Sequence, residues 1–439
     1  MKKKQLSIQK IFCFISILFI ATCCIIYGTR FIKLYLENKK QHSEARNSLA
    51  EKIQKNNKDN ENFKQINDDY YFVKDEENNY LEYSNILWRV FKITKDNKIL
   101  AISDSSLSSL AYGQDKSFKE SYVNLWLNTS EKEYSGILDR SLNNYQTYLT
   151  DTNLCLDKVD SIDNKDCEKS ENIPFSLLDT HDYANIGKES YLINGDNFYL
   201  VNNTSDDKIW YISSEGKILT SVGTDIMGIR PVITLKSNYD YRAGSGSKED
   251  PYIIEDEKGL FGSYVKLDND IWRVYQVNND EIKLMLNDYL KVNDKYITYP
   301  YSKNSSYYND TINGSVAYYL NNTFLNTLSY KDKLKETKWS NGYYGSTANY
   351  NYEEALKTTI DTKIALLSIG DIIPNGELKD YYTTTGSALK GTMIYTIKEN
   401  KKPVTKYMNS ELNIVPTICL DKKVLTKGNG TIDSPFEME

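Results

Sequence analysis

The chain repeats itself, and this limits its fold more than any other feature. Five blocks recur in the same order along the 439 residues. YLEYSNILWRVFKIT from Tyr80 returns as YVKLDNDIWRVYQVN from Tyr264, and SYVNLWLNTS from Ser121 as SVAYYLNNTF from Ser315. SLLDTHDYANIG from Ser176 aligns with ALLSIGDIIPNG from Ala365, and GIRPVITL from Gly228 with NIVPTICL from Asn413. GSGSKEDPYII from Gly244 aligns with GNGTIDSPFEM from Gly428. Partners lie 184 to 194 residues apart, a step too constant for chance matches. Self-similarity at a fixed period marks a repeated structural unit. The second Gly-x-Gly block falls at the end of the sequence, so the block is read as closing a unit. Unit one then spans 69–257 and unit two 258–439, with almost no linker between them.

Within a unit the pattern is α+β. Ile86, Trp88, Val90, Phe91 and Ile93 mix alternation with continuous apolar runs. A polar turn at 95–98 and the apolar run 99–102 complete a hairpin, which recurs at 277–286. Val123, Leu125, Trp126 and Leu127 predict a helix from Tyr122 to Asn128, with a second short helical stretch near Ile137 and Leu138. The middle of the unit is irregular. The block at Ser176 reads as a strand entering a helix, with Asp179 or Thr180 as N-cap. Strands at 209–213 and 230–235 close the unit, giving antiparallel hairpins with one or two helices.

Residues 1–10 form a basic head with four lysines. Ile11–Tyr27 is uncharged, and the apolar character continues past Arg30. This predicts a single membrane-spanning helix at 11–30. A cleaved signal peptide at Ala21-Thr22-Cys23 or a lipoprotein acylated at Cys23 fits less well, because the following segment is so apolar. Lysines and arginines flank both sides of the span, so the positive-inside rule orients it only weakly. The head is too short to fold, which puts the bulk of the chain outside the cytoplasm at the cell membrane. Residues 31–68 are polar, with sparse apolar positions, and read as a helical stalk fading into a spacer.

The net charge of −6 shows no basic footprint for nucleic acid. The 37 tyrosines suit aromatic platforms for sugars or partners, but Asn, Lys and Ile are abundant too, as AT-rich coding would produce.

Trp-Arg near the start, the Leu-Asn helix block, Leu-Leu-Ser/Asp and Gly-Ile-Arg-Pro-Val together resemble a family of uncharacterised repeat domains in surface proteins of Firmicutes. The order of hairpin, helix, Trp210-x-x-Ser213 and Gly-x-Arg-Pro also resembles the C-type-lectin-like fold, including relatives of the formylglycine-generating enzyme. The resemblance covers 69–439 and implies a lectin-like unit in two tandem copies. Unit two departs from it where Arg230 becomes Val415.

Candidate binding residues are Trp88, Arg89, Trp210, Arg230, Trp272 and Arg273. Each has a structural alternative: the Trp residues as core, and the Arg residues as ties between strands and loops. Glu249 and Asp250 lie in an oxygen-rich loop, but no set of three carboxylates recurs in both copies, so no metal site is assigned. His181, flanked by Asp179 and Asp182, has Gly370 at the matching position. No Walker, dinucleotide or His-Glu-x-x-His motif occurs, and no catalytic residue or cofactor is assigned. Cys155 and Cys167 flank an insertion found only in unit one and can close a disulfide outside the cytoplasm. Cys419 alternates with apolar residues and reads as a small core side chain. These features suggest a binding protein for a glycan or an envelope protein. The alternatives are an envelope assembly protein or an enzyme using unit one alone.

Overall fold

The computed structural model describes residues 48–438, apart from 75, 129–139, 164–166, 189, 238, 256–258, 279, 346–350, 375–377 and 399–402. The span expected at 11–30, the basic head, the stalk residues 31–47 and the short helix near Ile137 lie outside the described residues. Among the described residues no helix is long and apolar enough to cross a membrane. The fold is mostly antiparallel sheet with few helices.

The strand Ile86–Ile93 explains its own mixed pattern. It pairs with Ile99–Ser103 through a bulge between Val90 and Lys92. A bulge shifts the alternation by one residue, so Val90 and Phe91 are both buried. Asp270–Val277 pairs with Glu281–Leu286 through the same irregularity, between Val274 and Gln276, and Tyr275 is buried in the position of Phe91. The match continues outward. Tyr80–Tyr83 and Tyr264–Leu267 each pair antiparallel with the first strand of the hairpin. Each also accepts a parallel closing strand, Tyr252–Ile253 in one case and Phe436–Met438 in the other. Val232–Leu235 and Thr417–Asp421 each lie beside the hairpin's second strand.

The second sheet also recurs. In the first half its order is Ile218–Ser221, Ile209–Ile212, Phe198–Asn203, Ile226–Ile229, Ser108–Ala111. In the second half it is Pro403–Tyr407, Met393–Ile397, Tyr381–Ser387, Glu411–Asn413, Thr298–Pro300. Phe198–Asn203 and Tyr381–Ser387 share one register shift against their hairpin partners and one parallel neighbour. The strand expected at 230–235 is Val232–Leu235, and a second strand precedes it. Ile226–Ile229 belongs to one sheet and Val232–Leu235 to the other. Pro231, lacking an N–H for either ladder, stands at the switch, as Pro416 does in the second half.

The Gly-x-Gly turns are required by geometry. Gly244 and Gly428 have φ of +93° and +85°, and a Cβ on either would lie 2.0 Å from a proline carbonyl oxygen, of Pro251 or Pro435. This turn brings the closing strand back beside the opening one in each half.

Three helices stand out in the first half. Tyr122–Asn128 buries Val123, Trp126 and Leu127. Thr180–Ile186 is capped by Asp179, whose side chain accepts from the Asp182 N–H. The third, Leu49–Asn56, corrects the stalk reading for the described part of 31–68, which begins at Ser48. Its apolar face buries Leu49, Ala50 and Ile53. Phe63–Ile66 then pairs with Asp69–Phe72 at the sheet edge, with Phe63 stacked 5.3 Å from Tyr70. Leu49, Ile53, Phe63 and Ile66, the apolar positions of 49–66, are the contacts that fold this part onto the first half.

The halves share a core. Tyr344, Tyr352, Leu356, Ile369, Ile372 and Tyr395 of the second half belong to the first half's hydrophobic cluster. Trp126 Nε1 donates to the Gly370 carbonyl at 2.9 Å, and the Tyr344 hydroxyl accepts from the Ala111 N–H at 2.8 Å. Arg140 and Asp371 form a buried ion pair of 2.8 Å across the join. Leu49–Glu439 is one compact unit.

Candidate functional site

Trp88 and Trp272 are fully buried core residues and face no ligand surface. Their neighbouring arginines are also buried, and each stacks on the tyrosine directly opposite in the ladder. The Arg89 guanidinium lies 3.9 Å from the Tyr80 ring centre, and that of Arg273 lies 4.5 Å from Tyr264. Cation–π pairing across adjacent strands thus recurs in both halves. Arg89 has further partners: Asn79 Oδ1 at 2.6 Å, the Glu76 carbonyl, Asp104 at 3.7 Å, and the Tyr191 ring at 4.6 Å. Arg273 donates Nε to the Gly262 carbonyl at 3.0 Å.

Arg230 is wholly buried. It donates to the Ser103 and Leu192 carbonyls and lies 4.7 Å from the Phe198 ring, so it ties loops to the sheet switch. Burial lowers its pKa to about 10. Trp210 has a similar structural task. Its indole Nε1 donates to the Val159 carbonyl at 2.7 Å. Val159 belongs to the loop closed by the Cys155–Cys167 disulfide, whose Cα atoms are 5.9 Å apart. Trp210 therefore pins the cystine loop to the sheet. The equivalent Tyr395 of the second half packs instead against Tyr344 in the shared core. Cys155, Asp157 and Cys167 are close enough together to ligate a metal, but a disulfide leaves no thiolate to bind one. Cys419 is a buried thiol pushed up to about 12 by burial.

His181 and Arg230 do not converge on Asp182. That carboxylate accepts from the Tyr71 hydroxyl at 2.8 Å and from Lys92 at 3.0 Å. Lys92 also pairs with Asp69 at 3.2 Å. Burial opposes the Lys92 charge, but Asp182, Tyr71 and Asp69 outweigh it and hold the amine above the usual lysine value. Asp179 is pushed up to about 7, first by burial and then by repulsion from Asp182.

The open groove of the first half brings Arg89 and Glu249, both singled out in the sequence, together with residues that were not. About 780 Å³ in volume, it lies between the opening hairpin and the closing turn. Tyr80, Tyr191 and Arg89 wall it, while Glu77, Lys248 and Glu249 carry charge at its edge. Glu76 is fixed by three donors: the N–H groups of Glu77 and Asn78, and the Asn60 amide. Among the rest, Tyr80 carried a signal in the sequence, since it heads the repeated block and returns as Tyr264. In the second half the positions of Glu76 and Glu77 are Leu260 and Phe261, so the groove's chemistry is not repeated.

Comparison with protein-family models, with curated proteins and with solved structures finds no match.

Proposed function

We propose that this chain is a membrane-anchored, extracytoplasmic recognition protein, held by residues 11–30 and built from two tandem lectin-like copies. The observation that carries this reading is the groove of about 780 Å³ walled by Tyr80, Tyr191 and Arg89. Aromatic walls combined with charges of both signs at the edge suit a glycan, or a loop of an envelope protein. The disulfide supports an oxidising location. Arg89 has its hydrogen bonds satisfied within the chain, so it serves as a rigid wall, and Lys248 and Glu249 at the edge are left to select the ligand.

The test is a binding screen on the full chain in detergent, against glycans, peptidoglycan fragments and envelope extracts. A saturable ligand whose affinity falls with Glu249→Lys or Lys248→Glu supports the reading, and binding unchanged by chelator agrees with a metal-free site. A folded, monodisperse protein that captures no glycan or envelope component favours the second reading, a spacer in envelope assembly. The shared core of the two halves supports that alternative, since it gives the body the rigidity a spacer needs.

A further inference from the structure

Beside the join between the halves lies a second cavity, of about 260 Å³, separate from the groove. Arg140 of the first half lines it, with Lys283, Trp339 and Asp371 of the second. Arg140 is buried and directs one terminal nitrogen to Asp371 at 2.8 Å, while its Nε, also buried, has no hydrogen-bond partner among the described residues. A buried N–H left without an acceptor is costly, and a ligand oxygen would relieve it. Lys283 lies 4.3 Å from the Trp339 ring centre and donates to the Lys338 carbonyl at 3.1 Å. Among the described residues no carboxylate pairs with it. Burial lowers its amine's pKa below the usual lysine value, the direction expected of a cation lacking a close anion. Among the described residues Asp371 is the one acidic side chain in the lining, against Arg140 and three lysines. Ser368, Gln276 and Thr337 add hydroxyl and amide groups.

We propose that this cavity binds a small carboxylated sugar, with its carboxylate between Arg140 and Lys283 and its ring beside Trp339. The proposal rests on the recognition reading and names a ligand class for a second place on the same body. The volume lies just under the usual range for drug-sized ligands, which fits one ring and not a chain. A guanidinium matches a planar carboxylate. Asp371, bonded to the same guanidinium, disfavours a doubly charged phosphate. The remaining polar lining suits ring hydroxyls.

The experiment titrates the full chain in detergent with glucuronate, glucose and glucose 6-phosphate, by calorimetry or saturation-transfer NMR. Wild type is compared with Lys283→Gln and Arg140→Lys, and circular dichroism confirms that each variant is folded. Arg140→Lys retains the charge facing Asp371 but loses the guanidinium fork. Glucuronate is expected to bind saturably, and glucose and the sugar phosphate more weakly. Each substitution is expected to weaken glucuronate about tenfold. The assignment is overturned by a folded wild type that shows no saturation with glucuronate, by tighter binding of the sugar phosphate, or by variants of unchanged affinity. Glucuronate binding that is lost with Glu249→Lys but indifferent to Lys283→Gln would overturn the cavity while leaving the groove reading intact.

Discussion

Replacing Arg140 by Met removes one partner of the buried ion pair at the join. Breaking such a pair costs about 3–5 kcal/mol, because the remaining charge is stranded in a poor solvent. Here Asp371 retains two donors on its other oxygen, the Ser368 N–H at 2.7 Å and the Ser368 hydroxyl at 2.9 Å. The cost therefore falls at the low end, about 3 kcal/mol. The double variant Arg140→Met with Asp371→Asn strands no charge, and should recover about 2 kcal/mol relative to the sum of the single losses. Urea unfolding followed by both fluorescence and circular dichroism measures these values. Because Tyr344, Tyr352, Ile369 and Tyr395 sit in the first half's core, both probes should report one coincident transition. A loss below about 1 kcal/mol with no coupling would refute the reasoning, since the pair would then behave as a solvated surface contact.

Further predictions follow from the same contacts. The carboxyl of Asp179 is raised to about 7, against about 3.9 when unfolded, so the native state binds the extra proton between those values. Its contribution to stability is complete below about pH 4 and is lost as pH rises towards 7. Asp179→Asn keeps a capping oxygen and should flatten thermal stability across that window by a few kcal/mol, and an unchanged pH profile would contradict the assignment. The Cys155–Cys167 bond closes a loop of sequence separation 12, so reduction or a double Ser variant should cost about 3 kcal/mol in a melt. Trp210→Phe should cost about 1 kcal/mol by freeing Val159, with hydrogen exchange rising in the cystine loop first. Gly428→Ala should destabilise by more than about 2 kcal/mol, since a positive φ and the Pro435 carbonyl both oppose a Cβ, and a neutral result would deny the turn its conformation.

The repeated hairpin was legible because its bulge leaves a mark: apolar residues run together where strict alternation would separate them. The helix at Tyr122–Asn128 and the Asp179 cap were legible because they are set by near neighbours. The role of 49–66 was not, since four scattered apolar side chains resemble a solvated helix until a sheet edge stands beside them. Trp88 and Arg89 drew attention as an adjacent pair, but alternation along a strand sends them to different surroundings, one into the core and one onto Tyr80. The join was hidden for another reason. Arg140 and Asp371 lie 231 residues apart, and nothing local in either segment names the other. Trp210 looked like a ligand platform because the cystine loop that engages it is an insertion absent from the second half.

That the two halves form one body is tested most directly by cutting between them. A specific protease site placed between Glu255 and Gly259 of the full chain, once cleaved, should leave two fragments that co-elute and melt in a single transition. Fragments that separate without denaturant, each with its own transition, would contradict a shared core.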